Sequence, residues 1–498
     1  MPNCDFLIRD AIVFDGSGCQ SFPASVGIAG DRICAVGELS AYKSRHVVDG
    51  AGKALAPGFI DVHTHDDLSA IHSPQMLSKL SQGVTTVVVG NCGISAAPAR
   101  LKGIFPDPMN LLGDADGFCY PSFRDYVNAL EQAQPALNVA ALVGHTSLRN
   151  NHMSRLDRAA TAEESEAMHA ELYDALDSGA LGLSTGLAYL SANSASTEEI
   201  LNLVEALAES GAVYTTHLRS ETDKILDALD EAFLIGRHAR VPVIVPHLKC
   251  AGVDNWGRSA EVLQFLRAAC KHQAIACDCY PYAASSSTLD LRQVDERVTI
   301  RITWSSPHPE WAGHTLAEIA EAWSVPQVEA ARRLQPAGAI YHGMSEEDVC
   351  AILRYPETMI GSDGLPNDPR PHPRLWGTFP RVLGRYSREL GLFTLAEAVH
   401  KMSGLPASRF GFQDRGLVRA GYYADLVLFD AKTVHDDATF EDPVRPAVGI
   451  ASVWVNGSLS YQDGVATGQR AGRFLPRSRV HRRADTSEKR VRPEGKAQ

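Results

Sequence analysis

The 498-residue sequence has no long apolar run, and no stretch approaches the ~20 consecutive apolar residues that a membrane-spanning helix requires. The N-terminal segment also lacks the apolar core of a secretory signal, because it carries Cys4, Asp5, Arg9 and Asp10. We therefore expect a cytoplasmic protein without a membrane partner.

Basic charge is scarce as well. The net charge is −12, and the body of the chain shows no basic face of the kind that binds a phosphate backbone. Nucleic acid is therefore not expected as a partner. Only the end of the chain, 472–498, is rich in arginine and lysine, and we expect a disordered, solvated basic tail there.

The ten cysteines include no CxxC pair, so the spacing of a paired-cysteine zinc or redox motif is missing. Scattered thiols in a chain without a signal are typical of a reduced, cytoplasmic protein. Cys277 and Cys279 are the nearest pair. We interpret them as small apolar residues of a buried strand, because free cysteine is among the most buried residue types.

The two ends of the chain share a β-rich pattern. Residues 1–57 contain short apolar runs and a turn at Gly30-Asp31, which predict the first part of a small β-sandwich. The same pattern returns over 421–471, which would supply the second part. Since hydrophobic residues make up 45% of the chain, the residues between these parts can bury a large core of their own.

Residues 58–420 alternate short apolar runs with helical stretches, and this predicts an α/β fold, a (β/α)₈ TIM-like barrel. The eight runs lie at 58–62, 85–89, 138–143, 180–183, 212–215, 241–245, 274–277 and 359–361. Thr161 with Glu164, and Ser196 with Glu199, have the spacing of capping boxes that begin helices. The segment 284–345 is long for a barrel connection, so we expect an inserted lid over the site.

Residues of the types that bind zinc follow the predicted strands. His63 and His65 come directly after the first run and, being two apart, share a face of it. Four further candidates each follow a different run: Cys92, His217, His247 and Asp363. Because the carboxyl ends of barrel strands meet on one rim, these side chains should converge there.

Six candidate ligands exceed the needs of one zinc ion, which usually takes four ligands and leaves one position open in a catalytic site. The sequence therefore predicts either two metal ions or one tight site beside a weak one. Zinc near a carboxylate is suited to amide hydrolysis, since it polarises a carbonyl and activates water while the carboxylate moves a proton.

The segment 57–65, Pro-Gly-Phe-Ile-Asp-Val-His-Thr-His, and the later Gly361-Ser362-Asp363 resemble the amidohydrolase superfamily. The motif 89–93, Val-Gly-Asn-Cys-Gly, and the Thr-His-Leu-Arg and Pro-His-Leu-Lys segments resemble its D-aminoacylases, up to about Phe474. Many superfamily members place a carboxylated lysine at the end of strand four. The comparable segment 182–186 here reads Gly-Leu-Ser-Thr-Gly and has no lysine.

The resemblance implies a role for each candidate residue. It implies a tight zinc on Cys92, His217 and His247, and a weak second site on His63, His65 and Asp363. It further implies Asp363 as the catalytic, proton-handling residue. It places the substrate α-carboxylate on Lys249, Tyr280, Ser286 and Arg374, and a side-chain carboxylate on Arg292. If Arg292 is only a surface residue, Arg297 is the next candidate.

The function that follows is zinc-dependent hydrolysis of a small-molecule N-acyl-D-amino acid with an acidic side chain, most nearly N-acyl-D-aspartate. N-acyl-D-glutamate, or a broad range of N-acyl-D-amino acids, is the alternative substrate. A cyclic amidase related to hydantoinases or dihydroorotases is the alternative reaction, and the missing lysine argues against it. His145 and Tyr189 are expected to be pocket walls without an assigned role.

Overall fold

The chain is described here from a computed structural model that covers residues 3–101, 105–208 and 210–478. Its first part contains the strands β1 (Asn3–Val13), β2 (Phe22–Ala29), β3 (Arg32–Gly37), β4 (Lys43–Asp49) and β5 (Ala54–Pro57). β1 is one long strand, and its pairing with β2 shifts register between Ile8 and Ala11. The predicted turn at Gly30-Asp31 joins β2 to β3.

The eight predicted barrel runs coincide with parallel strands. Up to the insertion these are β6 (Phe59–Asp61), β7 (Val84–Val89), β8 (Asn138–Ala141), β9 (Val143–Gly144), β10 (Gly182–Gly186), β11 (Val213–His217), β12 (Val243–Val245) and β13 (Ile275–Cys279). β8 and β9 are separated only by Leu142 and form one barrel position, with β7 paired to β8 and β10 paired to β9.

The segment between the last two barrel strands folds separately from the barrel. It contains β14 (Ser285–Thr288), β15 (Ile300–Ser305) and β16 (Ala337–Tyr341), which form an antiparallel sheet in the order β14-β16-β15. This sheet has an apolar core of its own, with Ile302 and Ala339 fully buried in it. The strands lie within the predicted insertion 284–345, whose exact limits stay a prediction.

β17 (Thr358–Ile360) pairs with β13 and is the last barrel strand. A parallel bridge between Thr64 and Gly364 joins the end of β6 to the end of β17, which closes the circle. An apolar cluster takes side chains from all eight strands or the residues next to them, as a filled barrel interior requires. The (β/α)₈ barrel is therefore confirmed.

Helices surround the barrel and cover one end of it. They are α1 (Ser69–His72), α2 (Leu77–Leu80), α3 (Phe123–Ala133), α4 (His145–His152), α5 (Ala162–Asp177), α6 (Thr197–Val204), α7 (Ile225–Ala239), α8 (Ser259–Ala269), α9 (Leu316–Trp323), α10 (Gln327–Leu334), α11 (Glu346–Arg354), α12 (Arg374–Arg381), α13 (Leu395–Met402) and α14 (Gly404–Phe410). α9 and α10 belong to the insertion, and a π-helical segment, Val382–Glu389, continues α12. Within the described ranges no helix is long and apolar enough to cross a membrane.

The two predicted capping boxes differ. Thr161 and Glu164 form the complete reciprocal pair at the start of α5. Ser196 accepts a hydrogen bond from the backbone N–H of Glu199 at the start of α6, but the second half of the box is missing. The Glu199 carboxylate is instead buried against other side chains, so a tertiary contact replaces the local one.

The last strands complete the N-terminal sheet. They are β18 (Leu426–Phe429), β19 (Ile450–Val455), β20 (Ser458–Gln462) and β21 (Val465–Ala466). β18 pairs antiparallel with β5, so strands from both chain ends form one nine-stranded sheet. The domain limits 1–57 and 421–471 remain predictions.

Residues 472–478 are ordered, whereas the sequence predicts that a disordered tail begins at residue 472. Leu475 donates a backbone hydrogen bond to Val139 of β8, and the Arg473 carbonyl accepts one from the same residue. Phe474 packs against the main apolar core and Leu475 is buried at the end of the barrel. These two apolar side chains explain the difference, because burying them stabilises an ordered path. The rest of the predicted tail, 479–498, lies outside the described residues.

Candidate metal centre

The six residues predicted as metal ligands converge at the carboxyl ends of five barrel strands. They form two groups, and within each group the ligand atoms lie within 4.8 Å of one another. The groups are His63, His65, Cys92 and Asp363, and Cys92, His217 and His247. Cys92 belongs to both groups, so its sulfur would be the shared ligand if two metal ions were bound.

The distances within the centre are those of a compact, buried cluster. The Cys92 sulfur lies 3.2 Å from His63 Nε2 and 3.4 Å from His247 Nε2. The Oδ1 atom of Asp363 lies 3.1 Å from His65 Nε2 and 3.4 Å from His63 Nε2. None of these five side chains is exposed, so solvent competes little for their donor atoms.

Three of the candidate ligands have a left-handed backbone conformation. Cys92, His247 and Asp363 have φ angles of 54°, 36° and 51°. Such angles are uncommon for residues other than glycine and typically cost ~1–3 kcal/mol each, so they persist where the surrounding structure holds them. At these positions they turn the chain at the end of a strand and bring the side chain onto the barrel rim.

Two glycines make room for the ligands. A Cβ atom on Gly93, which has φ +78°, would lie 2.5 Å from the backbone nitrogen of Gly186. A Cβ atom on Gly361 would lie 2.6 Å from the Cβ atom of His63. The glycines of the Cys-Gly and Gly-Ser-Asp motifs are therefore needed for close packing between strand ends.

The electrostatics of the centre favour the ionised forms of Cys92 and Asp363, and they also raise the pKa values of His63, His65 and His247. Burial by itself raises the pKa of the Cys92 thiol, but His63 and His247 beside it lower that pKa well below its usual range. Burial also opposes ionisation of Asp363, yet Arg374 and His63 hold its pKa well below its usual range. Thiolate and carboxylate are the forms that bind a metal ion.

The donor set fits zinc, which accepts cysteine sulfur, histidine nitrogen and carboxylate oxygen. Three imidazole nitrogens in the cluster, His63 Nδ1, His65 Nδ1 and His217 Nδ1, are buried and have no hydrogen-bond partner among the described residues. Buried polar atoms of this kind are costly unless something binds them. The arrangement can therefore hold one or two metal ions.

Glu221 is a residue of the centre that the sequence analysis missed. Its Oε1 atom lies 3.0 Å from His247 Nδ1 and 2.6 Å from Lys249 Nζ, and its Oε2 atom lies 3.5 Å from His217 Nε2. Burial raises the pKa of this carboxyl, but Lys249 and His217 lower it below its usual range. The available signal was its position four residues after His217.

Asp278 was missed as well. Its Oδ1 atom accepts a hydrogen bond of 2.8 Å from the backbone N–H of His247 and lies 3.4 Å from His63 Nδ1. It therefore supports residues of both ligand groups. An acidic residue inside the otherwise apolar strand β13 was the signal that could have revealed it, because an unpaired carboxylate is rarely buried.

A buried lysine joins the first and last barrel strands beneath the ligands. Lys79 Nζ lies 2.9 Å from Asp61 Oδ2 and donates to Ser362 Oγ at 2.6 Å. Asp61 in turn accepts a backbone hydrogen bond of 2.8 Å from Ser362. The network fixes the segment that carries Asp363 against the segment that carries His63.

Ser184 lies on the strand where many superfamily members have a lysine. Its hydroxyl donates to the Gly90 carbonyl at 2.5 Å and accepts from the Gly93 backbone N–H at 3.1 Å. Strand β10 thus supports the loop that carries Cys92. Cys92, the residue that belongs to both candidate ligand groups, follows β7.

A cavity of about 870 Å³ opens onto the ligand cluster. His217, His247 and Asp363 are among its lining residues. The predicted substrate-binding residues that line it are Lys249, Tyr280, Ser286 and Arg292. Its volume suits a small molecule such as an acylated amino acid.

Arg374, the remaining predicted substrate-binding residue, is completely buried and is not among the residues that line this cavity. Its Nη2 atom lies 2.9 Å from Asp363 Oδ2 and donates to the Ser286 carbonyl at 3.1 Å. The guanidinium carbon lies 4.6 Å from the centre of the Tyr280 ring. Its Nε and Nη1 atoms are buried and have no hydrogen-bond partner among the described residues.

Arg292, which is predicted to bind the side-chain carboxylate of the substrate, already pairs with an acidic residue of this chain. Its side chain is 51% exposed at the edge of the cavity, and its Nη2 atom lies 2.6 Å from Asp290 Oδ2. The same nitrogen donates to the Ala188 carbonyl at 3.1 Å. Arg297, the other candidate, forms ion pairs with Asp254 and Asp295. The role of Arg292 in substrate binding stays a prediction.

Tyr189 and His145 occupy different surroundings. Tyr189 lines the cavity, and its ring centre lies 4.9 Å from that of His217. His145 lies at the start of α4, where its Nε2 atom is 2.9 Å from the buried Glu199 carboxylate. That carboxylate also binds Arg149, so His145 belongs to a buried ionic cluster. The prediction that His145 is a pocket wall is therefore wrong.

The chain matches an amidohydrolase family over residues 46–233 and 259–461. It is 48% identical to a D-aminoacylase of Alcaligenes xylosoxydans xylosoxydans over 95% of this chain and 98% of that protein. It is 46% identical to an N-acyl-D-aspartate deacylase of the same organism over 95% of each chain.

One similar solved structure is the N-acyl-D-glutamate deacylase of Bordetella bronchiseptica, complexed with zinc and a phosphonate inhibitor that mimics the tetrahedral intermediate. It has a TM-score of 0.92 and 46% identity, covering 96% of this chain and 100% of the other. The three relatives have different named substrates at nearly equal identity, so overall similarity does not choose among the substrates.

Proposed function

This chain belongs to the amidohydrolase family, and we propose that it hydrolyses N-acyl-D-amino acids to a carboxylate and the free D-amino acid. The observation that carries the proposal is the arrangement of Arg374. This buried guanidinium holds Asp363 beside the ligand cluster and keeps two nitrogens without partners among the described residues. A substrate carboxylate bound there would bring its acylated nitrogen next to the metal centre.

We propose zinc as the metal, with a tight site on Cys92, His217 and His247. A thiolate with two imidazoles is a donor set that zinc prefers. The weaker second site would use the remaining residues, His63, His65 and Asp363, with the Cys92 sulfur shared. When bound, zinc supplies Lewis acidity toward the carbonyl and makes water nucleophilic near neutral pH.

Asp363 is suited to move the proton in this reaction. Its carboxylate lies at the junction of the ligand cluster and Arg374, so it can accept a proton from the attacking water. The water oxygen bonds to the acyl carbon, and the carbon–nitrogen bond breaks. Asp363 then gives its proton to the leaving amine, which returns the carboxylate to its starting form.

Four residues are proposed to bind the α-carboxylate of the substrate. Arg374 offers its free nitrogens, which suit the planar geometry of a carboxylate. Lys249, Tyr280 and Ser286 line the cavity that opens onto the ligand cluster. Lys249 is held by Glu221 at 2.6 Å, so the substrate would meet an ammonium group that is already positioned.

The preference for an acidic side chain is proposed to come from Arg292. Its bonds to Asp290 and Ala188 involve Nε and Nη2, so Nη1 is the nitrogen that a substrate carboxylate can reach. Because the side chain is half-exposed, solvent weakens this interaction below the ~1.5–3 kcal/mol of a buried charged hydrogen bond.

Arg292→Leu is expected to lower kcat/KM for N-acetyl-D-aspartate by about tenfold, which corresponds to ~1.4 kcal/mol. The same change should have little effect on N-acetyl-D-leucine, which has no side-chain charge to lose. Steady-state kinetics with both substrates measures the difference. Arg297→Leu is the matched control, because it removes the same charge from the same insertion and should not distinguish the two substrates.

An equal fall in kcat/KM for both substrates in Arg292→Leu would contradict this assignment and indicate a structural role.

The side chains of aspartate and glutamate differ by one methylene group, and an enzyme typically discriminates between substrates that differ in this way by only ~1–3 kcal/mol. We propose N-acyl-D-aspartate as the preferred substrate, with N-acyl-D-glutamate as the alternative.

The proposed function is tested by kcat/KM for N-acetyl-D-aspartate, N-acetyl-D-glutamate, N-acetyl-D-leucine, their L forms and hydantoin. We expect the acidic D substrates to rank first and the L forms to be poor. Faster hydrolysis of hydantoin or of the L forms would overturn the proposal.

A further inference from the structure

The carboxylate of Glu221 contacts three residues around the candidate metal centre. Its Oε1 atom lies 3.0 Å from His247 Nδ1 and 2.6 Å from Lys249 Nζ. Its Oε2 atom lies 3.5 Å from His217 Nε2. It therefore contacts two ligands of the proposed tight site and one residue proposed to bind substrate, but it belongs to neither ligand group.

The position of the proton on His247 depends on these contacts. The Nε2 atom of His247 faces the Cys92 sulfur at 3.4 Å, so this nitrogen must carry the free lone pair if it is to bind a metal ion. The proton then has to be on Nδ1, which needs an acceptor. Glu221 is an acceptor, whereas the ammonium group of Lys249, 2.7 Å away, has only protons to donate.

Lys249 would favour the wrong tautomer if Glu221 did not hold it. An ammonium proton donated to His247 Nδ1 would leave the ring proton on Nε2, toward the metal position. Lys249 can instead donate to Glu221 at 2.6 Å and to the His247 carbonyl at 3.0 Å. With those two bonds made, Nδ1 is free to donate to the Glu221 carboxylate.

We propose that Glu221 is a positioning residue that keeps His247 in its metal-binding tautomer and, by holding Lys249, couples the tight metal site to substrate binding. The inference rests on the proposed function, since it assumes a metal on Cys92, His217 and His247. Carboxylates that orient metal-binding histidines in this way typically contribute ~10–100-fold to metal affinity.

Zinc affinity measured by competition with a chromophoric chelator tests the proposal without reference to activity. Glu221→Leu removes the acceptor, and we expect its zinc affinity to fall by ~10–100-fold. Glu221→Gln keeps an amide oxygen that can accept from Nδ1 but loses the charge, so its affinity should fall by less. The sulfur-to-metal absorption band of the cobalt-substituted protein should weaken in the same order.

Two control variants separate the parts of the proposal. Lys249→Met should raise KM while zinc affinity stays at the wild-type value, because Glu221 and His247 still meet. Asp227→Asn removes an acidic group from the exposed first turn of α7, away from the residues that line the cavity, and should change neither quantity. Thermal unfolding of the zinc-saturated proteins checks that each variant is folded.

Wild-type zinc affinity in Glu221→Leu would overturn the inference even if its KM were altered, since Glu221 would then act on Lys249 alone. Such a result would leave the proposed function intact. Failure of the wild-type protein to retain zinc would instead overturn the proposed function together with this inference.

Discussion

Asp363→Asn is expected to lower kcat by about 10²–10⁴-fold, the usual contribution of a general acid–base group. The amide of asparagine cannot accept the proton of the attacking water. It also cannot satisfy His65 and Arg374 in the same way, since the carboxylate now uses one oxygen for each. Single-turnover and steady-state assays with N-acetyl-D-aspartate measure the loss.

The zinc proposed for the tight site should remain in Asp363→Asn, because Asp363 is not a member of the group formed by Cys92, His217 and His247. Metal analysis of the purified variant checks this point. Asp368→Asn is the matched control: it makes the same change five residues away, where the carboxylate caps the backbone N–H of Arg370. If Asp363→Asn kept a near-normal kcat, another group would have to move the proton.

Cys92→Ala is expected to abolish both turnover and zinc retention. Changes in the residues around a metal's ligands typically cost ~10–100-fold in affinity, and the loss of a ligand should cost more. The loss should be especially large because the Cys92 sulfur is shared by both ligand groups. Elemental analysis after dialysis against a mild chelator, together with the deacylase assay, measures both effects.

Cys277→Ala is the control for this experiment. Cys277 is fully buried on β13 and its sulfur lies 3.3 Å from Thr358 Oγ1, outside both ligand groups. That variant should keep its zinc and its activity, apart from a modest loss of stability from the smaller side chain. A Cys92→Ala protein that remained fully active would refute the tight site as we propose it.

Much of the metal centre could be predicted from local sequence. His63 and His65, and the single candidates after four other strands, follow apolar runs that are readable along the chain. Once those runs predict a parallel barrel, the topology alone brings their carboxyl ends to one rim. The structure places all six within two overlapping groups.

The supporting residues could not be found in this way. Glu221 and Asp278 contact ligands from other strands, and the capping-box position of Glu199 gave no sign of its buried contact with His145. The pairing of Arg292 with Asp290, two residues away, was likewise not predicted from the sequence. Each of these side chains could satisfy its charge in several ways, and only the folded chain selects one of them.

The sequence by itself determined the barrel, the rim on which the ligands meet and the types of donor atoms there. These properties depend on strand order and on residues adjacent to strand ends, which the chain encodes locally. The tertiary structure alone decided which hydrogen-bond partner each candidate ligand has. It also decided that Arg374 is buried without a full set of partners among the described residues, and that 472–478 packs against β8. Those outcomes depend on distances between segments far apart in the chain, and a buried charge takes whichever partner the packing brings within reach.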